Sequence, residues 1–91
     1  MGKLDNALEE MDRARESTPE MDIRASYSYT RLQIWLRLAQ QAAGAANQSE
    51  YRHCLDQALQ DAQEVIENSD DEEHRTYALE LRAKLSEILT Q

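Results

Sequence analysis

The sequence is poor in the residues that break helices and in those that staple small folds. Its 91 residues include two glycines, one proline, one cysteine and no phenylalanine. So few turn formers exclude a sandwich, a collagen-like chain or a proline-rich linker. A single cysteine excludes an internal disulfide framework and most structural zinc sites. It fits a reducing compartment, so a cytoplasmic protein is expected. No run of about 18 apolar residues occurs, so no membrane span is expected. The N-terminus has no apolar signal core. Cations are also scarce, with 10 Lys and Arg against 18 Asp and Glu and a net charge of -8. Direct nucleic-acid binding needs excess cations to displace counterions, so it is excluded for the molecule as a whole. Docking on an anionic membrane fails for the same reason. The length allows one compact domain, spanning residues 1–91.

What remains is helical periodicity. Leu4, Leu8, Met11 and Arg15 share a face with Ala7 and Ala14 beside it, which predicts a short amphipathic helix over 3–16. It is the weakest of the set, and residues 1–18 are expected to be loosely attached. Ser17-Thr18-Pro19-Glu20 is a stop and a start. Ser17 and Glu20 have capping-box spacing, and Thr18 with Pro19 at the first helical position is the other option. A long helix over 19–43 follows, with Gly44 expected as its left-handed stop. Asn47, Gln48 and Ser49 offer caps for a helix over 48–67. Its apolar residues Tyr51, Cys54, Leu55, Ala58, Leu59, Ala62, Val65 and Ile66 fall within an arc of about 140°. Ser69 with Glu72 is a second capping box, and Asp70 to Glu73 load the start of a helix over 70–90 with the charge its dipole favours. That helix is expected to bury Tyr77, Ala78, Leu81, Leu85, Ile88 and Leu89. The breaks are short, so the expected fold is an all-α antiparallel up-down bundle of four helices.

Part of this pattern resembles the tetratricopeptide repeat. The places that the family fills with Trp, Leu, a small residue and an aromatic, then small, aromatic and small residues on the next helix, hold Trp35, Leu38, Ala39, Ala42, Tyr51, Leu55 and Ala58. Ala42 and Tyr51 depart from the family in size, and Gln63 stands where its proline is usual. The likeness covers residues 35–63. A second copy would put Ser69 at the Trp position, and such arrays stack about three units. The resemblance implies an adaptor that binds a protein or peptide.

The second helix carries the least ordinary pattern. One stripe is apolar throughout: Met21, Ala25, Tyr29, Leu32, Leu36, Ala39 and Ala43. A second stripe, about 100° away, is apolar only late, at Trp35, Leu38, Ala42 and Ala46. Its early half holds Arg24, Ser28 and Arg31, flanked by Tyr27. Charges that enter a seam must be paired or left open to water. One reading pairs the arginines with acidic residues of the first or last helix. The other makes Arg24, Tyr27, Arg31 and Trp35 a partner-binding patch, because arginine and aromatic side chains serve as interface anchors.

The charge is uneven. Residues 19–44 sum to +1, while 45–69 sum to -4 and 70–91 to -3. Asp56, Gln60, Gln63, Glu64 and Glu67 line one face, as a solvated surface or as a partial imitation of a phosphate row. His53 and Cys54 are adjacent and diverge on a helix, so they cannot chelate together. Asp70 and His74 are four apart, which suits a capping contact better than a metal. Cys54 lies at the edge of an apolar face, where a thiol acts as a small hydrophobe.

No metal, cofactor or catalytic residue is expected. The expected function is a non-enzymatic protein-interaction module, of adaptor, chaperone-like or regulatory type, binding through the helix 2 patch. The other candidate is a small acidic inhibitor that occupies the basic groove of a nucleic-acid-binding protein. A homodimer that adds buried area suits so small a core.

Overall fold

The computed structural model describes residues 3–90, with side chains from Asn6 onward, so the expected apolar contact of Leu4 on the first helix lies outside the described side chains. Helix α1 spans Lys3–Ser17, α2 Met21–Gly44, α3 Gln48–Asn68 and α4 Glu72–Leu89. The protein is an all-α bundle of four helices, joined by three short connections.

The caps differ from the expected ones in instructive ways. Ser17 remains inside α1, and its Oγ donates back to the Ala14 carbonyl at 3.2 Å. It is therefore not free to cap α2, which starts after Pro19 with Glu20 as N-cap and no side-chain cap bond. Asn47 caps α3 by accepting from the Glu50 N–H at 3.2 Å. At α4 the cap is Asp71, not Ser69. Its carboxylate accepts from the N–H groups of Glu73 and His74 at 3.0 and 3.2 Å, while Ser69 Oγ accepts from the Asp71 N–H at 3.1 Å.

The end of α2 also departs from expectation. Gly44 does not take a positive φ; Ala46 does, at 57°. The Asn47 N–H reaches the Ala42 carbonyl at 2.9 Å and the Ala46 N–H reaches Ala43 at 3.1 Å. This is the Schellman bonding pattern with alanine in the left-handed place. Ala46→Gly is expected to stabilise the fold by about 0.5–1 kcal/mol, because glycine lacks the Cβ that strains this conformation. Urea titration should show a higher midpoint with an unchanged slope; a midpoint equal to or below the wild-type value would contradict the assignment.

Packing follows chain order: α1 lies on α2, α2 on α3 and α3 on α4. The Cα extents are 38 × 29 × 16 Å. The two short directions are unequal, and the ring contacts of Tyr29 with His74 and Tyr77 join α4 to α2 as well as to α3. Leu32 and Ala39 of α2, Cys54, Leu55, Ala58, Ala62 and Val65 of α3, and Ala78 and Leu85 of α4 form the core. All lie on the expected stripes. Met21 and Tyr77, expected on the buried side, are 54% and 37% exposed. Met21 sits in the first turn of α2, and Tyr77 lies on the flank of α4. Cys54 is fully buried. Burial pushes its thiol up to about 11, helped by the nearby Glu50 carboxylate. It is inert packing, not a nucleophile.

Candidate interaction surface

The half of α2 that the sequence marks as unusual lies against α1 on one side and α3 on the other. Two linked polar clusters fill that seam. In the first, Arg15 of α1 donates from Nε to Ser28 Oγ at 2.8 Å. Its Nη2 pairs with Glu64 of α3, and Ser28 Oγ donates to the same carboxylate oxygen. In the second, Arg31 of α2 forms a two-pronged pair with Asp61 of α3, with Nε to Oδ2 at 2.8 Å and Nη2 to Oδ1. Its remaining arm, Nη1, pairs with Asp12 of α1. Ser28 is fully buried and Asp61 is 1% exposed.

The geometry follows from helical spacing. Arg15 and Asp12 are one turn apart on α1, Ser28 and Arg31 one turn apart on α2, and Glu64 and Asp61 one turn apart on α3. Each turn of one helix therefore meets one turn of the next, as antiparallel packing requires. Electrostatics then settle the charges. Burial disfavours a charged guanidinium at Arg31, but the hydrogen bonds and charges of Asp61 and Asp12 outweigh it and raise its pKa. Burial dominates at Asp61, whose carboxyl is held above the ordinary aspartate range against the opposing pull of Arg31.

The four residues of the expected patch are placed unequally. Arg31 is engaged with Asp61 and Asp12. Arg24 is half-buried, and its Nε is enclosed with no hydrogen-bond partner among the described residues. Tyr27 is half-buried on the side of α2 that carries Arg31. Trp35 packs against the core and meets the His53 ring edge-on, with centroids 5.7 Å apart. The acidic partners of Arg31 come from α1 and α3, whereas pairing from the sequence pointed to the first or last helix.

Two members of the seam carried no expectation of this role. Asp61 lies on the edge of the apolar arc of α3, three residues after Ala58 and four before Val65. A carboxylate in that register, opposite an arginine in the same situation, is the signal that finds it. Glu64 was expected on the wet face of α3. It is half-buried instead, because Arg15 reaches past α2 to cover it. Its engagement also interrupts the row of Asp56, Glu64 and Glu67.

Elsewhere, His74 stacks on Tyr29 with ring centroids 3.7 Å apart and planes 6° from parallel. Its Nε2 lies 3.7 Å from Asp71, its own helix cap, and not beside Asp70. Among the described residues no three His, Cys, Asp or Glu side chains converge as a metal site. A shallow depression of about 380 Å³ on α4 is lined by Glu72, Glu73, Thr76, Tyr77 and Glu80. No helix is long and apolar enough to cross a membrane among the described residues. No family model matches the chain, and no curated protein or solved structure does either.

Proposed function

We propose that this chain is a non-enzymatic protein-interaction module that receives a helical segment of a partner in the place α1 holds, on the face of α2 bearing Arg24, Tyr27, Arg31 and Trp35. One observation carries the reading. The seam between α2 and α3 holds charged groups whose pairing is completed by a third helix, through Asp12 and Arg15. A surface that satisfies its buried charges with an added helix has the donors and acceptors to select one. The recognition pattern can be read from α1: apolar residues at Leu8 and Met11, an acid at Asp12 and an arginine at Arg15. The adaptor role that the tetratricopeptide likeness implies agrees with this mode, which works by shape and charge without chemistry.

The test is an NMR titration of the full chain with a synthetic helical peptide carrying Leu, Met, Asp and Arg at those spacings. Amide shifts confined to the neighbourhood of residues 24–35 are expected. Arg24→Gln combined with Tyr27→Ala should weaken binding roughly tenfold, the loss of about one interface anchor, with the far-UV helical signal intact. No shift on α2, or an affinity untouched by the double variant, defeats the reading. A second reading, a small acidic inhibitor of a basic groove, is favoured by the α4 depression. Its carboxylates Glu72, Glu73 and Glu80 surround Tyr77 and make no ion pair among the described residues. A lysine-rich peptide shifting only α4 supports that reading instead.

A further inference from the structure

We propose that α1 is exchangeable between two copies of this chain, so that α1 of one copy occupies the α2 seat of the other. Arg15 from the second copy then completes the Ser28–Glu64 cluster, and its Asp12 completes the Arg31–Asp61 cluster. The proposal deepens the reading of the α2 face as a helix seat, on which it rests, by naming an occupant.

Three observations support it. First, the seat does not tolerate vacancy. Arg31 and Glu64 have side chains only 17% and 18% exposed with α1 in place. Without α1, Glu64 loses its cation and Arg31 loses one of its two carboxylates. A helix with the residue pattern of α1 must fill the place, and a second copy supplies that pattern without alteration.

Second, α1 is held lightly for a helix with such specific contacts. None of its described side chains is fully buried, and it packs mainly on α2, touching α3 through the Arg15–Glu64 pair. The connection to α2 is three residues, Thr18, Pro19 and Glu20, and the first turn of α2 has no side-chain cap to lock it. Opening that connection carries α1 away from its own seat and toward a neighbour. The same bonds form in either arrangement, which is why exchange of an identical element is a low-cost route to a dimer.

Third, the residues just after the connection are apolar and exposed. Met21 and Ile23 are 54% and 37% exposed. In an exchanged pair the two connections run side by side, and these side chains cover one another there.

Charge reversal across the seat provides the test. Arg15→Glu in one chain and Glu64→Arg in another each set like charges together, whether α1 docks at home or on an identical copy. A mixture differs. The unaltered Arg15 of the second chain meets the unaltered Glu64 of the first, and the two substituted positions meet each other with opposite charge. Sedimentation and native mass spectrometry should find a heterodimer in the one-to-one mixture at concentrations where each variant alone is monomeric. Trypsin cleavage within α1 should slow in that mixture. A mixture that behaves as the sum of its parts overturns the exchange. The wild-type chain offers a measurement free of folding defects: its dimer fraction should rise from micromolar to millimolar concentration, and a monomer throughout overturns the proposal. If the mixture stays monomeric while the helical peptide still binds α2, exchange fails and the module reading stands. If neither associates, both fail.

Discussion

Asp61→Ala is expected to destabilise the fold by about 3–5 kcal/mol, the usual effect of removing one partner of a buried ion pair. Asp61 is almost wholly enclosed, and Arg31 keeps a single exposed carboxylate, Asp12, as its remaining partner. For a domain of this size the loss lowers the melting temperature by roughly 12–40 °C. Asp12→Asn, at the 53% exposed end of the same arginine, is expected to lose at most about 1 kcal/mol. Replacing both buried partners with apolar residues, Arg31→Met with Asp61→Leu, should recover most of the stability, because neither charge is then stranded. Thermal melts of the single and double variants decide it; an Asp61→Ala loss below about 1 kcal/mol would mean that water reaches the pair and the seam is open. The pH dependence reports the burial of this carboxyl, separately from its pairing with Arg31. The folded carboxyl of Asp61 is raised above its ordinary 3.8 by burial. Its proton therefore binds the folded form more tightly. That contribution is fully present below the unfolded pKa and is lost as pH rises through the folded one. Wild type should gain on Asp61→Asn as the pH is lowered toward 4.

Leu32→Ala is expected to lose about 2–5 kcal/mol through lost burial and the cavity left behind. Leu32 is fully buried on α2 in the core shared with α3 and α4. Leu79→Ala, at a 43% exposed position on α4, should change stability by less than about 0.5 kcal/mol. Urea unfolding of the pair measures both. Equal losses at the two positions would contradict the placement of the core. Together with Asp61→Ala, this contrast separates the apolar core from the polar seam, because Leu32→Ala leaves the pairing of α1 in place.

The core was legible in the sequence because periodicity is a one-dimensional signal. Leu55, Ala58, Ala62 and Val65 repeat at three and four residues, and no other structure satisfies that spacing. The polar seam was only half legible. Arg24, Ser28 and Arg31 interrupt an apolar stripe, which marks the place but does not name the partners. Those come from α1 and α3, and a helical wheel carries no information about which neighbour arrives. Ile34 shows the same limit. It belongs to neither apolar stripe of α2, yet it is only 9% exposed and lies outside the main core cluster. Its helical position places it on the side of α2 that α1 covers. The caps failed for a different reason. Several acceptors compete within a few residues, and Asp71 prevailed over Ser69 by accepting two backbone N–H groups at once. Ala46 was not legible because Gly44, two residues earlier, is the better left-handed residue; the bonding to Ala42 and Ala43 decides the register.

The chain-order packing has a kinetic consequence. Every helix finds its main partner next to it in sequence, so no early step requires distant segments to meet, and topology of this kind folds fast. The connection between α2 and α3 is the natural starting point, because Asn47 ends one helix through its backbone and begins the other through its side chain. Once that hairpin closes, Arg31 and Asp61 come together as its own contact. α4 can then settle on α3 and α1 on α2, independently and in either order. Assembly that radiates from a central hairpin leaves α1 and α4 at its two growing edges, each docking onto a surface already formed.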